Sequence, residues 1–283
     1  MTQDTVKPTK APRVGLFVTC LVDSMRPSIG FATIKLLEDA GCVVEVPEVQ
    51  TCCGQPAYNS GGDGLARGIV KQVIAAFEGF DYVVVPSGSC AGMLKVHAAD
   101  LFEEERDWAV RHQRLADKTY EILSFLRDVL KYQPKDVRYE GVVTYHDSCS
   151  GLRELGIHEQ PRALLDQVAG LKRVPLEGDN QCCGFGGTFC VKYPDISNEI
   201  VEDKTRCIAG SGADTLLAGD LGCLMNMAGK LSREGKAVRV FHTVEVLAGM
   251  ADGAGLCMSD KELAALKEAG SRLSGQADEK VDR

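Results

Sequence analysis

The chain has 283 residues, 45% of them hydrophobic, with a formal net charge of -8 and an isoelectric point near 5.3. That apolar content can bury a full core, leaves room for two domains of about 100 to 150 residues and excludes a disordered chain. The acidic balance, without clustered Lys and Arg, excludes a nucleic-acid partner. Met1 to Pro12 is polar, and no apolar stretch of about eighteen residues occurs, so a cytoplasmic protein with no transmembrane segment is expected.

Val14 to Val18 is the first short apolar run and predicts a buried strand. A helix is expected over Ile29 to Ala40, with apolar residues at Ile29, Ala32, Ile34, Leu36 and Leu37 and a stop at Gly41. Val43 to Val46 reads as the second strand. Leu65, Ile69, Val73 and Phe77 then share one helical face by i, i+4 spacing. Tyr82 to Val85 is the third strand, and Leu101 to Leu130 reads as an external helix pair closing this unit. A polar linker is expected at Gln133 to Glu140, around Pro134.

The order then repeats. Val142 to Tyr145 and Thr215 to Ala218 are strand candidates, and Leu171 to Leu176 is a weaker one. Helices are expected over Pro161 to Val168 and Ser197 to Ile208, with Gly170 and Gly210 as stops. Strands alternating with helices predict an α/β fold of two pseudo-symmetric, Rossmann-like units with parallel sheets, over residues 12–133 and 140–256. A helix over Lys261 to Leu273 and a polar tail complete the chain, as a segment 257–283.

Twelve cysteines in a chain this long are not a disulfide framework in a reducing compartment, and metal ligation is the expectation. Eight of them form one pattern twice: Cys20, Cys52-Cys53-Gly54 and Cys90, then Cys149, Cys182-Cys183-Gly184 and Cys223. The gaps are 31 and 36 residues in the first copy, 32 and 39 in the second. Each group follows a predicted strand, so three distant loops of each unit converge at strand carboxyl ends, where open parallel sheets bind ligands. Adjacent cysteines reach one site only where the chain bends, which Gly54 and Gly184 allow. Four convergent thiolates suit a metal ion or an iron-sulfur cluster.

Cys42, Cys207 and Cys257 have no counterparts and read as packing residues. Cys190, opposite Ser60, is a lesser candidate for an extra ligand. Ser87 and Asp220 stand three residues before Cys90 and Cys223, where helix capping is the plainer reading and oxygen ligation the alternative.

The stretches Gln50 to Pro56, Pro86 to Cys90, Tyr145 to Cys149, Cys182 to Phe189 and Cys223 to Asn226 resemble the cysteine-rich CCG domain of heterodisulfide reductases, of glycolate oxidase iron-sulfur subunits and, most closely, of LutA/YkgE-type lactate-utilisation proteins. The resemblance covers residues 13 to 255. It implies an iron-sulfur protein working with other lactate-utilisation subunits in the oxidation of L-lactate, or a related small 2-hydroxy acid, to pyruvate. It implies a cluster in each half held by Cys20, Cys52, Cys53 and Cys90, and by Cys149, Cys182, Cys183 and Cys223. The fuller CCG pattern ends in Cys-x-x-Cys, whereas Ser87 and Asp220 occupy the first of those places here. Four cysteines per half suit a conventional 4Fe-4S cluster.

Three readings follow. The first is an electron-transfer or catalytic iron-sulfur subunit. The second is a zinc-binding structural subunit, or zinc in one half only, since four thiolates also hold zinc. The third, a nucleophilic enzyme using Cys90, leaves the other seven repeated cysteines unexplained. No Gly-x-Gly-x-x-Gly is present, because Phe189 occupies the third glycine position after Gly184 and Gly186.

His146 and Asp147 precede Cys149, whereas Phe17 and Val18 precede Cys20. His146 is a candidate base for a lactate hydroxyl or a donor to a cluster sulfur, beside the plainer reading of a hydrogen-bonded structural histidine. Arg153 can pair with a carboxylate or simply face solvent. His242 falls in the last strand-to-helix loop on the same edge, and His97, His112 and His158 read as surface or helix residues. This asymmetry makes the second copy the expected place for a substrate.

Overall fold

The computed structural model describes residues 11–258, and the expected C-terminal helix and polar tail lie outside them. Two four-stranded parallel sheets repeat one topology. The first has the order β2-β1-β3-β4, with β1 Arg13–Leu16, β2 Val43–Glu45, β3 Tyr82–Val85 and β4 Thr119–Glu121. The second has β6-β5-β7-β8, with β5 Arg138–His146, β6 Ala169–Arg173, β7 Thr215–Ala218 and β8 Arg239–His242. The expected α/β class with helix-flanked parallel sheets is the observed one, and the cysteines cluster near strand ends. Among the described residues no helix is long and apolar enough to cross a membrane.

Period-two alternation divides the strand residues between cores. Val84 points into a core shared by both units, while Val83 and Val85 face a core belonging to the first. In β7, Leu217 enters the shared core, and Leu216 and Ala218 face the second unit's own core. Burial on both faces explains why these strands read as unbroken apolar runs. The shared core takes Leu36 and Leu37 from one helix of the first unit, Ser28–Asp39, and Leu164 and Leu165 from the second unit's Glu159–Leu165. Phe125, Val244 and Leu247 complete its centre.

Several expectations differ from the observed elements. The segment read as a helix pair contains β4 between the Arg106–Asp117 helix and the short Ile122–Ser124 helix. Thr119-Tyr120-Glu121 carries no apolar run, and its strand state comes from pairing with β3 through Val83↔Thr119 and Val85↔Glu121. The Asp63–Phe77 helix buries Ala66, Val70, Val73, Ile74 and Phe77, while Leu65 is 67% exposed, so the predicted face is rotated. Both stripes satisfy helical spacing, and docking chooses between them. Gly170 does not stop a helix: it enters β6 with φ +79°, after a helix that ends at Leu165. β5 begins at Arg138, inside the expected linker, with a register irregularity between Arg138 and Gly141.

A polar seam ties the units together. Glu245 is fully buried and accepts from Arg26 Nε at 2.9 Å, Ser28 Oγ at 2.7 Å and the His242 backbone N-H at 3.0 Å. Glu121 ends β4 as His242 ends β8, and each caps the short helix after it. Burial pushes the Glu121 carboxyl up to about 8, with Asp220 adding to the rise and the Leu123 and Ser124 backbone donors opposing it.

Removing the Glu245 carboxylate strands the Arg26 guanidinium and uncaps a helix, so Glu245→Ala should lower unfolding free energy by about 3 kcal/mol, measured by denaturant titration. Glu121 holds a proton in the folded state that an unfolded carboxyl releases in the ordinary range. Its contribution to stability is therefore complete at low pH and is lost as pH rises toward 8. Glu121→Gln, which keeps the capping oxygen, should flatten that part of a stability-against-pH profile.

Candidate metal centres

Each unit presents its cysteines in the same way. Cys20 opens the Cys20–Met25 helix after β1, and Cys149 opens Cys149–Arg153 after β5. Cys90 and Cys223 lie in the first turns of the Gly88–Lys95 and Leu221–Arg233 helices, after β3 and β7. The pairs Cys52-Cys53 and Cys182-Cys183 bend back at Gly54, φ +90°, and Gly184, φ +79°. A Cβ on Gly184 would lie 2.8 Å from the Ser197 carbonyl oxygen, so the close approach also demands glycine. The bend aims backbone N-H groups at sulfur: Gly54 N donates to Cys52 Sγ at 3.4 Å and Gly184 N to Cys182 Sγ at 3.3 Å.

All eight sequence-predicted cysteines are brought into these two sets. In the first, Cys20 contacts Cys52, Cys52 contacts Cys53, and Cys53 contacts Cys90. Hydrogen bonding to Cys52, then burial, pushes the Cys20 thiol well up, while the same bonds and the Gly54 N-H hold Cys52 far below the usual thiol range. Contact with Cys52 and Cys90 raises Cys53. In the second, Cys183 touches Cys182 and Cys223, and burial raises the Cys149 thiol. Four sulfurs this close cannot all ionise by themselves, and a cation relieves their repulsion. The donor set therefore fits a thiophilic metal ion or an iron-sulfur cluster.

The residues three before the last cysteines cap helices, in agreement with the plainer expectation for them. Ser87 Oγ accepts from Cys90 N at 3.3 Å, and Asp220 Oδ1 accepts from Gly222 N at 3.1 Å. They also meet each other. Asp220 Oδ2 accepts from Ser87 Oγ at 2.9 Å, Ser89 Oγ at 2.7 Å and Ser89 N at 2.9 Å. Thr19, just before Cys20, has φ 75° and ψ 147°, a strained region for a residue with a Cβ, and lies buried there.

A cavity of about 210 Å³ opens on the first cysteine set. Cys20, Cys52, Cys53 and Cys90 form one wall, and Phe185, Gly187 and Thr188 of the second unit's glycine-rich loop form another. The loop that sequence assigned to the second site thus covers the first. Gly222 permits this, because a Cβ there would lie 2.5 Å from the Phe185 ring. Asp220 is the one charged side chain lining the cavity.

Around the second set the surroundings are polar and buried. His146 is 1% exposed at the end of β5, and one of its ring nitrogens falls within 4.8 Å of the Cys183 and Cys223 sulfurs. Among the described residues neither ring nitrogen has a hydrogen-bond partner, which sets it apart from a hydrogen-bonded structural histidine. Leaving a buried polar group unsatisfied costs about 1 to 3 kcal/mol. Burial, with the Lys204 charge, lowers its pKa to about 3 and keeps the ring neutral. It does not line the cavity. Lys204 is fully buried and donates to the Gly178 and Asp179 carbonyl oxygens at 2.6 and 3.1 Å, holding the loop that leads to Cys182.

Arg153 is exposed and donates to the Asn180 carbonyl oxygen at 3.2 Å. Cys190 donates to Gly187 O at 3.4 Å, stabilising the glycine-rich loop. His242 caps the Thr243–Leu247 helix, and His112 lies on the buried face of the Arg106–Asp117 helix, held to Leu94 O at 2.8 Å. Sequence reasoning missed Phe185, Ser89 and Lys204. The signal available for Phe185 was its place between two glycines.

The cysteine-rich CCG domain family matches twice, over residues 14–95 and 143–228. Lactate utilization protein A of Anoxybacillus flavithermus is 49% identical over 234 residues, covering 83% of this chain and 98% of the relative. The protein of that name from Geobacillus sp. strain WCH70 is 49% identical over 235 residues, with the same coverage of both chains. Among solved structures, a hypothetical protein from Helicobacter pylori superposes with a TM-score of 0.61 at 12% identity. It matches 91% of this chain, which spans about half (51%) of that one, and the likeness concerns the fold alone. With both cysteine sets inside the matched regions, the chain belongs to the Lactate utilization protein A family, built from two cysteine-rich CCG domains.

Proposed function

We propose that this chain is an iron-sulfur subunit of a multi-subunit complex that oxidises L-lactate to pyruvate, or a related 2-hydroxy acid to its 2-keto acid, and that it carries electrons through clusters held by its two cysteine sets. The observation that carries the reading is the convergence of four sulfurs in each unit, in a chain whose 49%-identical relatives are named for lactate utilisation. Oxidation of a 2-hydroxy acid to a 2-keto acid releases two electrons and two protons. A bound iron-sulfur cluster supplies one-electron transfer, so two sets in one chain can take one electron each.

The protein's own groups prepare each site. Cys20, Cys52, Cys53 and Cys90 would hold the first cluster, and Cys149, Cys182, Cys183 and Cys223 the second. The Gly54 and Gly184 N-H groups stabilise negative sulfur and favour the reduced state. Phe185, Leu21 and Pro56 supply apolar walls to the cavity beside the first set.

Carriage of electrons fits the cavity better than substrate binding does. A lactate carboxylate needs a cation or several free donors, whereas the lining offers sulfurs and the Asp220 carboxylate. Arg153 at the second set is the exposed cation nearest to that role. Zinc in one set is a second reading, favoured by the different surroundings of the two sets.

Protein purified anaerobically should contain about four irons and four sulfides per occupied set, with an EPR signal on reduction. Cys53→Ser and Cys183→Ser should each remove the iron of one set. Zinc with no iron in protein from its native host would sink the redox reading. Lactate alone should leave the oxidised clusters of the isolated chain unbleached, and bleaching without partner subunits would show that this chain itself meets substrate.

A further inference from the structure

The two units place different side chains at one strand position. β1 runs into Phe17 and β5 ends at His146, with Leu16↔Val84 and Tyr145↔Leu217 fixing the equivalence. Phe17 is fully buried, sits edge-on to Phe77 with ring centroids 5.8 Å apart, and belongs to the core cluster that contains Cys53. At the equivalent place His146 lies against Cys183 and Cys223, and the three donor atoms fall within 4.8 Å of one another.

An imidazole is a poor substitute for a phenyl ring unless its nitrogens find partners. Among the described residues neither does, although the residue is 1% exposed. An imidazole nitrogen beside two thiols is a donor set that metals accept. The Asp179 backbone lies beside the ring, a group of the kind that orients the far nitrogen of a ligating histidine.

We infer that His146 is a ligand of the metal centre in the second set, so that this site is mixed cysteine-histidine while the first is all-cysteine. The inference rests on the reading that the sets hold metal. His146, Cys183 and Cys223 supply three buried donors, and Cys149 and Cys182, both exposed, offer the fourth, since a tetrahedral zinc or a cubane cluster takes four protein ligands. The ligand class is a thiophilic, imidazole-tolerant metal, which both cluster iron and zinc satisfy.

The test uses the full chain purified anaerobically, with iron and zinc quantified, X-ray absorption at both edges, and EPR after reduction with and without 15N-histidine. A metal-nitrogen shell or a histidine nitrogen coupling is expected in the unaltered protein. It should vanish in His146→Gln and in His146→Phe, the latter reproducing the first unit, while the signal of the first set stays. His146→Cys should keep the metal with a sulfur-only shell. Sulfur-only shells at both edges of the unaltered protein, with no histidine coupling, would overturn the inference and leave the redox reading standing. So would a nitrogen signal that survives in His146→Gln. A nitrogen shell at zinc in an iron-free protein supports His146 as a ligand and defeats the redox reading. A chain that takes up neither metal overturns both.

Discussion

Gathering four thiols at one strand-end site is the constraint on which the rest of the structure depends. Sulfurs at such distances repel once ionised, and a protein gains nothing by packing them together unless a cation follows. The fold therefore has to impose the convergence from outside. It does so with strand ends, whose position is fixed by hydrogen-bonded ladders on either side, and with helix first turns, whose N-H groups stabilise negative charge. Only the Cys-Cys-Gly segments are free of regular structure, and there a positive φ at Gly54 and Gly184 turns both sulfurs toward one point.

The two units do not merely lie side by side. Their sheets pack through one shared core, and the helix caps of one unit bond to those of the other through Ser87, Ser89 and Asp220. Because Ser87 and Asp220 each precede a cysteine by three residues, this seam couples the positions of Cys90 and Cys223. A shift of either strand-end loop would be felt in both sets. The Phe185 loop adds a second tie, since it belongs to one unit and walls the cavity beside the sulfurs of the other.

The cysteine framework and the class of fold were legible in the sequence because each rests on a local and repeated signal. A Cys pair followed by Gly, the apolar runs of doubly buried strands, and equal spacing in two copies are all visible without a structure. β4 was not legible, because Thr119-Tyr120-Glu121 is a strand only through its neighbour β3. The buried face of Asp63–Phe77 was ambiguous for a related reason: two apolar stripes existed, and tertiary docking selected the one through Ala66 and Val70. The role of Asp220 as an acceptor shared across the seam was out of reach, since its partners lie more than a hundred residues away.

Duplication explains the likeness of the sets, and their divergence shows what each has been allowed to become. The first is roofed by an aromatic loop and opens on a small cavity whose one charged side chain is acidic. An anion approaching it would meet sulfur and carboxylate, a lining that does not favour negative charge. The second set has a buried neutral imidazole and a buried lysine on its inner side. A buried positive charge and an imidazole lie beside the second set's sulfurs, where the first has the Phe17 ring, so the two sites differ in the groups that face their cysteines.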